Sequence, residues 1–289
     1  TPIAMRILSQ TLYSRPIEAV LRELGTNAAD AHIDAGTPDR PFEVSLPTLE
    51  SPTLKVRDYG LGIHPDNVPT IFATYFKSTK NDSNEFNGCF GLGSKSPLAI
   101  SDQFMIEIWY EGNYYVWNIY KNDNGIPCIP DNKPSVISPS TEPSGVQITV
   151  PISDSTDFFN YARTVYQYFK VIPIVKKGNT PVTICRPDLE NYHDLYFFKK
   201  YSYNNQCHIL MGNVLYPINM EIWDLACFEN LCFGNKSVII PFQNGEVQFS
   251  ANREALEYNK KTIAVLKRKY DEIVKFEISK IQEIIDKEP

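Results

Sequence analysis

What this chain of 289 residues lacks narrows the field first. Apolar runs such as the one within 237–242 hold about five residues, whereas a helix that crosses a bilayer needs ~20. No charged-then-apolar secretory leader opens the chain. It begins Thr1-Pro2-Ile3 rather than with methionine, as a trimmed piece of something longer would. The six cysteines form no CxxC pair, and no histidine stands near them at metal-ligand spacing. They read as reduced thiols in a cytoplasmic protein, and a zinc site is not expected. No internal repeat is visible. Positive charge is not in excess either: 28 Lys+Arg stand against 34 Asp+Glu, a formal charge of −6. Residues 1–150 hold 11 basic against 17 acidic side chains, which argues against a nucleic-acid clamp in that half.

What is present is globular. With 43% apolar, 21% charged and 12% aromatic residues, disorder is excluded, and the length suits two domains each with a core. A helix is predicted over 15–35, with Ser14 as N-cap, Pro16 in its first turn and Gly36 as its stop. Alternation over 42–46 and 53–57, across a proline-bounded connection, predicts two antiparallel strands. Residues 64–96 read as a short helix, a long polar loop and another helix start. Further strands are predicted at 104–110, 114–120 and 145–151, and a domain boundary near 153–157. Beyond it follow a helix over 158–169, strands around 171–175, 181–185, 209–217 and 238–241, and a long helix from Asn259. That last helix carries Ile263, Leu266, Tyr270, Val274, Ile278, Ile281 and Ile285 on one face.

Three clusters carry chemistry. On the first helix Glu23, Asn27 and Asp30 stand at i, i+4 and i+7, so at ~100° per residue they share one narrow sector. Asn27 is unusual in a helix interior, because its amide competes with the backbone. The second cluster, Asp58-Tyr59-Gly60-Leu61-Gly62, ends a strand with a carboxylate and two glycines. The glycines permit close approach to a flat ligand, and the carboxylate can accept from an exocyclic amine. The third, Gly88-Cys89-Phe90-Gly91-Leu92-Gly93-Ser94-Lys95-Ser96, could offer backbone N–H groups to phosphates where a helix starts. It is not a Walker loop, since GxxxxGK[ST] does not occur, and no strand leads straight into it as the Rossmann fingerprint requires. Each cluster alone has an ordinary structural explanation: a solvated helix face, a turn, a glycine-rich loop.

In this order the three resemble the GHKL ATPase superfamily of gyrase B, MutL, the ninety-kilodalton heat-shock chaperones and histidine kinases. ExxxNAxDA is complete over 23–31, DxGxG over 58–62 and GxxGxGxxS over 88–96. The wording is also similar to the phage rapid-lysis RIIA proteins at Arg22-Glu23-Leu24, at 91–97 and at Asn252-Arg253-Glu254-Ala255-Leu256. The resemblance implies an α+β fold: a Bergerat-type sandwich of a mixed sheet with helices on one face over 1–153, then a smaller α/β transducer-like domain over 154–289. It implies ATP and Mg²⁺ as cofactors, with Glu23 as general base, Asn27 on the metal and Asp30 in support. Asp58 would take the adenine amine, and Gly60 and Gly62 would shape the wall. Gly88, Gly91 and Gly93, with Ser94, Lys95 and Ser96, would close over the phosphates. Lys77 and Lys80 resemble a lid-base lysine segment. Arg253 resembles the arginine that the clamp chaperones bring to the γ-phosphate, a role that suits a permanent planar cation; a structural arginine paired with Glu257 explains it equally well.

One position departs from the pattern. The superfamily carries a Gly-Thr pair on a later strand, and here the pair is Gly145-Val146, with Thr149 on the opposite strand face. The expected activity is slow Mg²⁺-dependent ATP hydrolysis driving lid closure and clamp-like homodimerisation, with a RIIA-like lysis-inhibition role and a phage or host protein partner. The alternative is a nucleotide-sensing scaffold without significant turnover. The implied location is the cytoplasm of an infected bacterium, with room for peripheral membrane association but no transmembrane segment. Nucleic acid is not an expected partner.

Overall fold

The computed structural model describes residues 13–73, 93–123, 125–193, 195–199, 206–232, 236–250 and 252–287. They form two compact units, Thr1–Cys185 and Arg186–Pro289.

Helix α1, Pro16–Asp34, starts one residue later than the motif suggests: Arg15 is the N-cap, and Pro16 takes the first turn, where its missing N–H costs nothing. Gly36 ends it at φ +72°, where its N–H donates to the Ile33 carbonyl. Ala19, Val20, Leu21, Leu24 and Ala28 form the buried stripe. Strands β1 (Glu43–Leu46) and β2 (Thr53–Arg57) pair antiparallel with Val44 opposite Val56. After helix α2 (Val68–Ala73) and the 3-10 turns of Gly93–Ala99 come β3 (Gln103–Tyr110), β4 (Asn113–Lys121), the short β5 (Pro127–Cys128) and β6 (Val136–Pro139), and β7 (Gly145–Pro151). Helix α3 (Phe158–Tyr166), β8 (Ile174–Lys177) and β9 (Thr180–Val182) complete the first unit.

Its sheet runs β5-β4-β3-β7-β2-β1-β8-β9, with β6 on β4, and β8 lies parallel to β1 in an otherwise antiparallel array. Alternation sorts its two faces. Val44, Leu54, Val56, Ile106, Ile108, Ile148 and Val150 join α1 in one core, while Glu43, Lys55, Arg57, Glu107 and Gln147 take the other side. The first unit therefore does not stop at 153. Val175 pairs with Val44, and α3 lies on α1, where Phe42, Tyr166 and Phe169 meet edge to face. Residues 154–185 cover core that the first 153 would leave open, and the polar break over 153–157 is a loop inside the unit.

The second unit has a sheet β10-β11-β14-β12-β13, made of Leu189–His193, Tyr196–Lys199, Ser237–Phe242, Cys207–Met211 and Val214–Pro217. The strand predicted over 209–217 is a hairpin, because Gly212 at φ +61° turns the chain between Met211 and Val214. Helix α4, Lys260–Ile285, is capped by the Asn259 side chain, which accepts from Thr262 N–H at 2.9 Å. Its apolar stripe is covered only in part. Leu266 and Ile273 are buried and Ile263 and Tyr270 pack on the core, but Ile278, Ile281 and Ile285 are exposed. No helix among the described residues is long and apolar enough to cross a membrane.

Candidate functional site

Helix α1 is where the sequence clusters meet. Glu23 is 3% exposed, and its Oε1 lies 3.7 Å from Nε of Arg22, itself buried. Asn27, one turn on, is exposed, and Asp30 is half-buried beyond it. Glu23 is therefore the buried end of the line, and Asn27 in its middle is the open position. Gly93 abuts this end: a Cβ there would stand 2.6 Å from Glu23 Oε2, so a side chain at 93 would have to displace the end of that carboxylate. The DxGxG turn closes on the same helix further along. A Cβ on Gly60 would lie 2.8 Å from both the Cβ and the carbonyl oxygen of Ala31, so the turn touches α1 backbone to backbone.

Asp58 continues the inward-facing set of β2 and is 8% exposed. Its Oδ1 accepts from Gly60 N–H at 2.9 Å and from Val146 N–H at 3.2 Å, while Asp58 N–H donates to the Val146 carbonyl at 2.9 Å. No donor to Oδ2 is found among the described residues. Burial pushes the Asp58 carboxyl above the ordinary carboxylate range, opposed by those two N–H bonds and by the nearby Arg57. Val146 thus serves through its backbone, whatever its side chain. The Thr149 hydroxyl donates to Glu107 at 3.1 Å, on the sheet face away from α1.

His32 is a residue that sequence reasoning missed. It is 1% exposed, and its Nε2 accepts from Tyr59 N–H at 2.7 Å. Nδ1 must then carry the hydrogen, which it donates to the Arg40 carbonyl at 2.7 Å. A neutral imidazole so held ties the end of α1 to the turn that carries Asp58. Tyr59 is fixed from the other side: its hydroxyl donates to Glu43 at 2.6 Å, and the guanidinium carbons of Arg40 and Arg57 lie 4.0 and 4.7 Å from its ring centroid. A lone histidine near a helix C-terminus gives no signal in sequence, because its partners are backbone groups brought in by the fold.

In the third cluster the Ser94 hydroxyl and the Lys95 ammonium both donate to the Ile71 carbonyl, at 2.9 and 2.5 Å. Lys95 is 4% exposed, and burial pulls its ammonium down to about 8. Ser96 is buried as well. These side chains thus hold the end of α2, and what this segment turns towards Glu23 is the Gly93 backbone. Gly62 has φ +78° and lies against the Trp109 carbonyl. Lys77, Lys80, Gly88 and Gly91 lie outside the described residues. Arg253 belongs to the second unit, where it is buried at φ +53° with its guanidinium 5.2 Å from the Phe249 ring centroid. Among the described residues no group of three His, Cys, Asp or Glu side chains could hold a metal ion, so a cation at this site would rest on Asn27 and on oxygens of its ligand. A cavity of about 240 Å³ lies elsewhere, on the open sheet face, lined by Arg57, Tyr59, Trp109, Glu107 and Gln147. It is not where the three clusters meet.

Among the solved structures that resemble the chain are two of the same protein region. One is the ATPase region of Saccharomyces cerevisiae topoisomerase II, with a TM-score of 0.59 at 16% identity over 89% of this chain and 85% of that one. The other is the same region bound to ICRF-187 (dexrazoxane), with a TM-score of 0.60 at 16% identity over 90% and 85%. No protein-family model and no curated protein matches the sequence. The fold is thus shared with that ATPase region, mixed α+β with a large mixed sheet.

Proposed function

We propose that this chain binds ATP with Mg²⁺ between α1 and the 58–62 turn and hydrolyses it slowly as part of a clamp that dimerises when nucleotide is bound. The observation that carries the reading is Asp58. One of its oxygens is held by two backbone N–H groups, and the other has no donor among the described residues, beside a Gly60 pressed flat on the helix. Such a carboxylate selects a ligand with an exocyclic N–H, which adenine has and guanine lacks at that ring position. In this reading Gly60 and Gly62 shape the adenine wall, and Asn27 offers its amide oxygen to the cation that bridges the phosphates. Glu23 takes the proton of the attacking water, with Asp30 supporting the pocket floor. By the resemblance Gly88, Gly91 and Gly93, with Lys77 and Lys80, are assigned to the phosphates, while Ser94 and Lys95 brace that segment on the Ile71 carbonyl, Ser96 is buried beside them, and the Gly93 backbone faces Glu23. Arg253 is assigned to the γ-phosphate by its resemblance to the arginine of the clamp chaperones. Two domains follow, nucleotide-binding and transducer-like. The RIIA-like role in lysis inhibition, with a phage or host protein partner in the bacterial cytoplasm, rests on the wording at 22–24, 91–97 and 252–256.

A second reading, a nucleotide-sensing scaffold without turnover, is favoured by one observation: Arg22 lies beside Glu23 and competes with water for its Oε1. Calorimetry and single-turnover hydrolysis separate the readings. ATP should bind at least tenfold tighter than GTP. Glu23→Gln should keep MgATP affinity while slowing turnover roughly 10²-fold. Equal affinity for the two nucleotides removes the Asp58 assignment, and hydrolysis unchanged in Glu23→Gln removes the catalytic one.

A further inference from the structure

The second unit holds a pair of sulfurs that the nucleotide chemistry does not use. Cys207 opens β12 and is fully buried, and its Sγ lies 3.3 Å from Sγ of Cys232 and 3.2 Å from the Phe228 carbonyl. Cys232 follows the 3-10 segment Trp223–Leu231 and is only half-buried. At 3.3 Å no atom stands between the sulfurs, and a bond at ~2.05 Å needs an approach of roughly 1.3 Å. The movement falls to Cys232. Cys207 is held in the sheet opposite Val238, with its carbonyl accepting from Ile218 N–H, whereas Cys232 belongs to no strand and caps the 3-10 segment, its N–H donating to the Glu229 carbonyl.

We propose that Cys207 and Cys232 form a reversible dithiol–disulfide site, oxidised by a peroxide and reduced by a small thiol. The two sulfurs are unequal. The Cys207 thiol beside it draws Cys232 below the ordinary thiol range, while the same contact, together with burial, pushes Cys207 up. Cys232 therefore supplies the thiolate that meets oxidant from solvent, and Cys207 is the resolving partner. In the first step the Cys232 sulfur attacks a peroxide oxygen and the O–O bond breaks. This leaves a sulfenic acid, and the departing oxygen leaves as water or alcohol. In the second, the Cys207 sulfur attacks the Cys232 sulfur. The S–S bond forms, the S–O bond breaks, and the hydroxyl leaves with the Cys207 proton as water. Two thiols thus lose two electrons and two protons, and one peroxide is reduced. Two equivalents of thiol reverse the change. Cys227, in the same 3-10 segment, is a weaker candidate, since burial raises its thiol.

The cross-link would tie an inner strand of the second sheet to the 3-10 segment, which lies on α4 with the Phe228 and Tyr270 rings 5.3 Å apart. It closes the loop 207–232 and removes freedom from the unfolded chain more than from the folded one. The test treats the intact chain with stoichiometric hydrogen peroxide, alkylates the remaining thiols, and maps peptides without reductant. Expected are a cross-linked peptide pair containing Cys207 and Cys232, its disappearance with dithiothreitol, and a melting temperature about 5 °C higher in the oxidised form. Cys232→Ser, at a half-buried position, should abolish both the cross-link and the shift, and Cys227→Ser should leave both. Sulfinic acid accumulating on Cys232 while Cys207 stays alkylatable after unfolding would overturn the proposal. So would a cross-link that uses Cys227, or one that survives in Cys232→Ser.

Discussion

At the scale of single residues, Asp58 and His32 do opposite work around one turn. The folded chain binds a proton at Asp58 more tightly than the unfolded chain does, because burial raises that carboxyl. Folding stability from this group therefore falls as pH rises from the ordinary 3.8 through the raised value, and the cost is fully present above it. Asp58→Asn keeps an oxygen for the Gly60 and Val146 N–H groups and removes the buried charge. Its melting temperature should equal or exceed the wild type's at neutral pH and lose that advantage in acid. Its ATP affinity should drop at least tenfold, about 1.4 kcal/mol, since the amide turns a donor towards the adenine amine. Thermal melts across pH, together with calorimetry, check both halves, and a variant that melts lower yet binds normally contradicts them. His32→Ala should instead lower stability by about 1–3 kcal/mol in chemical denaturation, because the Tyr59 N–H and the Arg40 carbonyl lose buried partners. Nucleotide affinity should fall with it, as the turn loosens.

At the scale of elements, α1 is shaped by what it touches rather than by helix propensity. Gly25 sits mid-helix, where alanine would ordinarily gain ~1 kcal/mol. Here a Cβ would meet the Tyr166 ring at 2.7 Å, the Phe169 ring at 3.2 Å and the Phe42 ring at 3.3 Å. Gly25→Ala should therefore destabilise by about 1–3 kcal/mol, the reverse of the propensity rule, through overpacking of that aromatic trio. Urea denaturation gives the sign directly. The helix could be read from its proline start, its apolar stripe and its glycine stop, and the ExxxNAxDA spacing put three polar groups on one side. The need for glycine at 25 could not be read there, because Tyr166 and Phe169 arrive from far along the chain.

At the scale of the molecule, the first unit needs residues beyond 153. Strand β8 extends the sheet beside β1, and the Tyr166 hydroxyl donates to the Leu21 carbonyl at 3.1 Å. A fragment of residues 1–185 should unfold cooperatively on heating. One of residues 1–153 should expose Phe42 and the inner side of α1 and lack a cooperative transition by circular dichroism. A cooperative 1–153 fragment would place the boundary near 153 instead.

Sequence alone determined the local matters: the strand alternation, the bounds of α1 to within a residue, and three motifs whose order points to one class of fold. These are set by neighbours within a turn or a strand, and periodicity records them. Tertiary structure decided which groups those motifs finally face. It put His32 under Tyr59, turned Ser94 and Lys95 to the Ile71 carbonyl, left the Gly93 backbone beside Glu23, and brought Cys207 to Cys232. It also drew 154–185 into the first unit through a parallel strand pairing. Each of these is a contact between segments distant in the chain, most of them made by backbone carbonyls and N–H groups that every residue possesses, so local periodicity does not announce them.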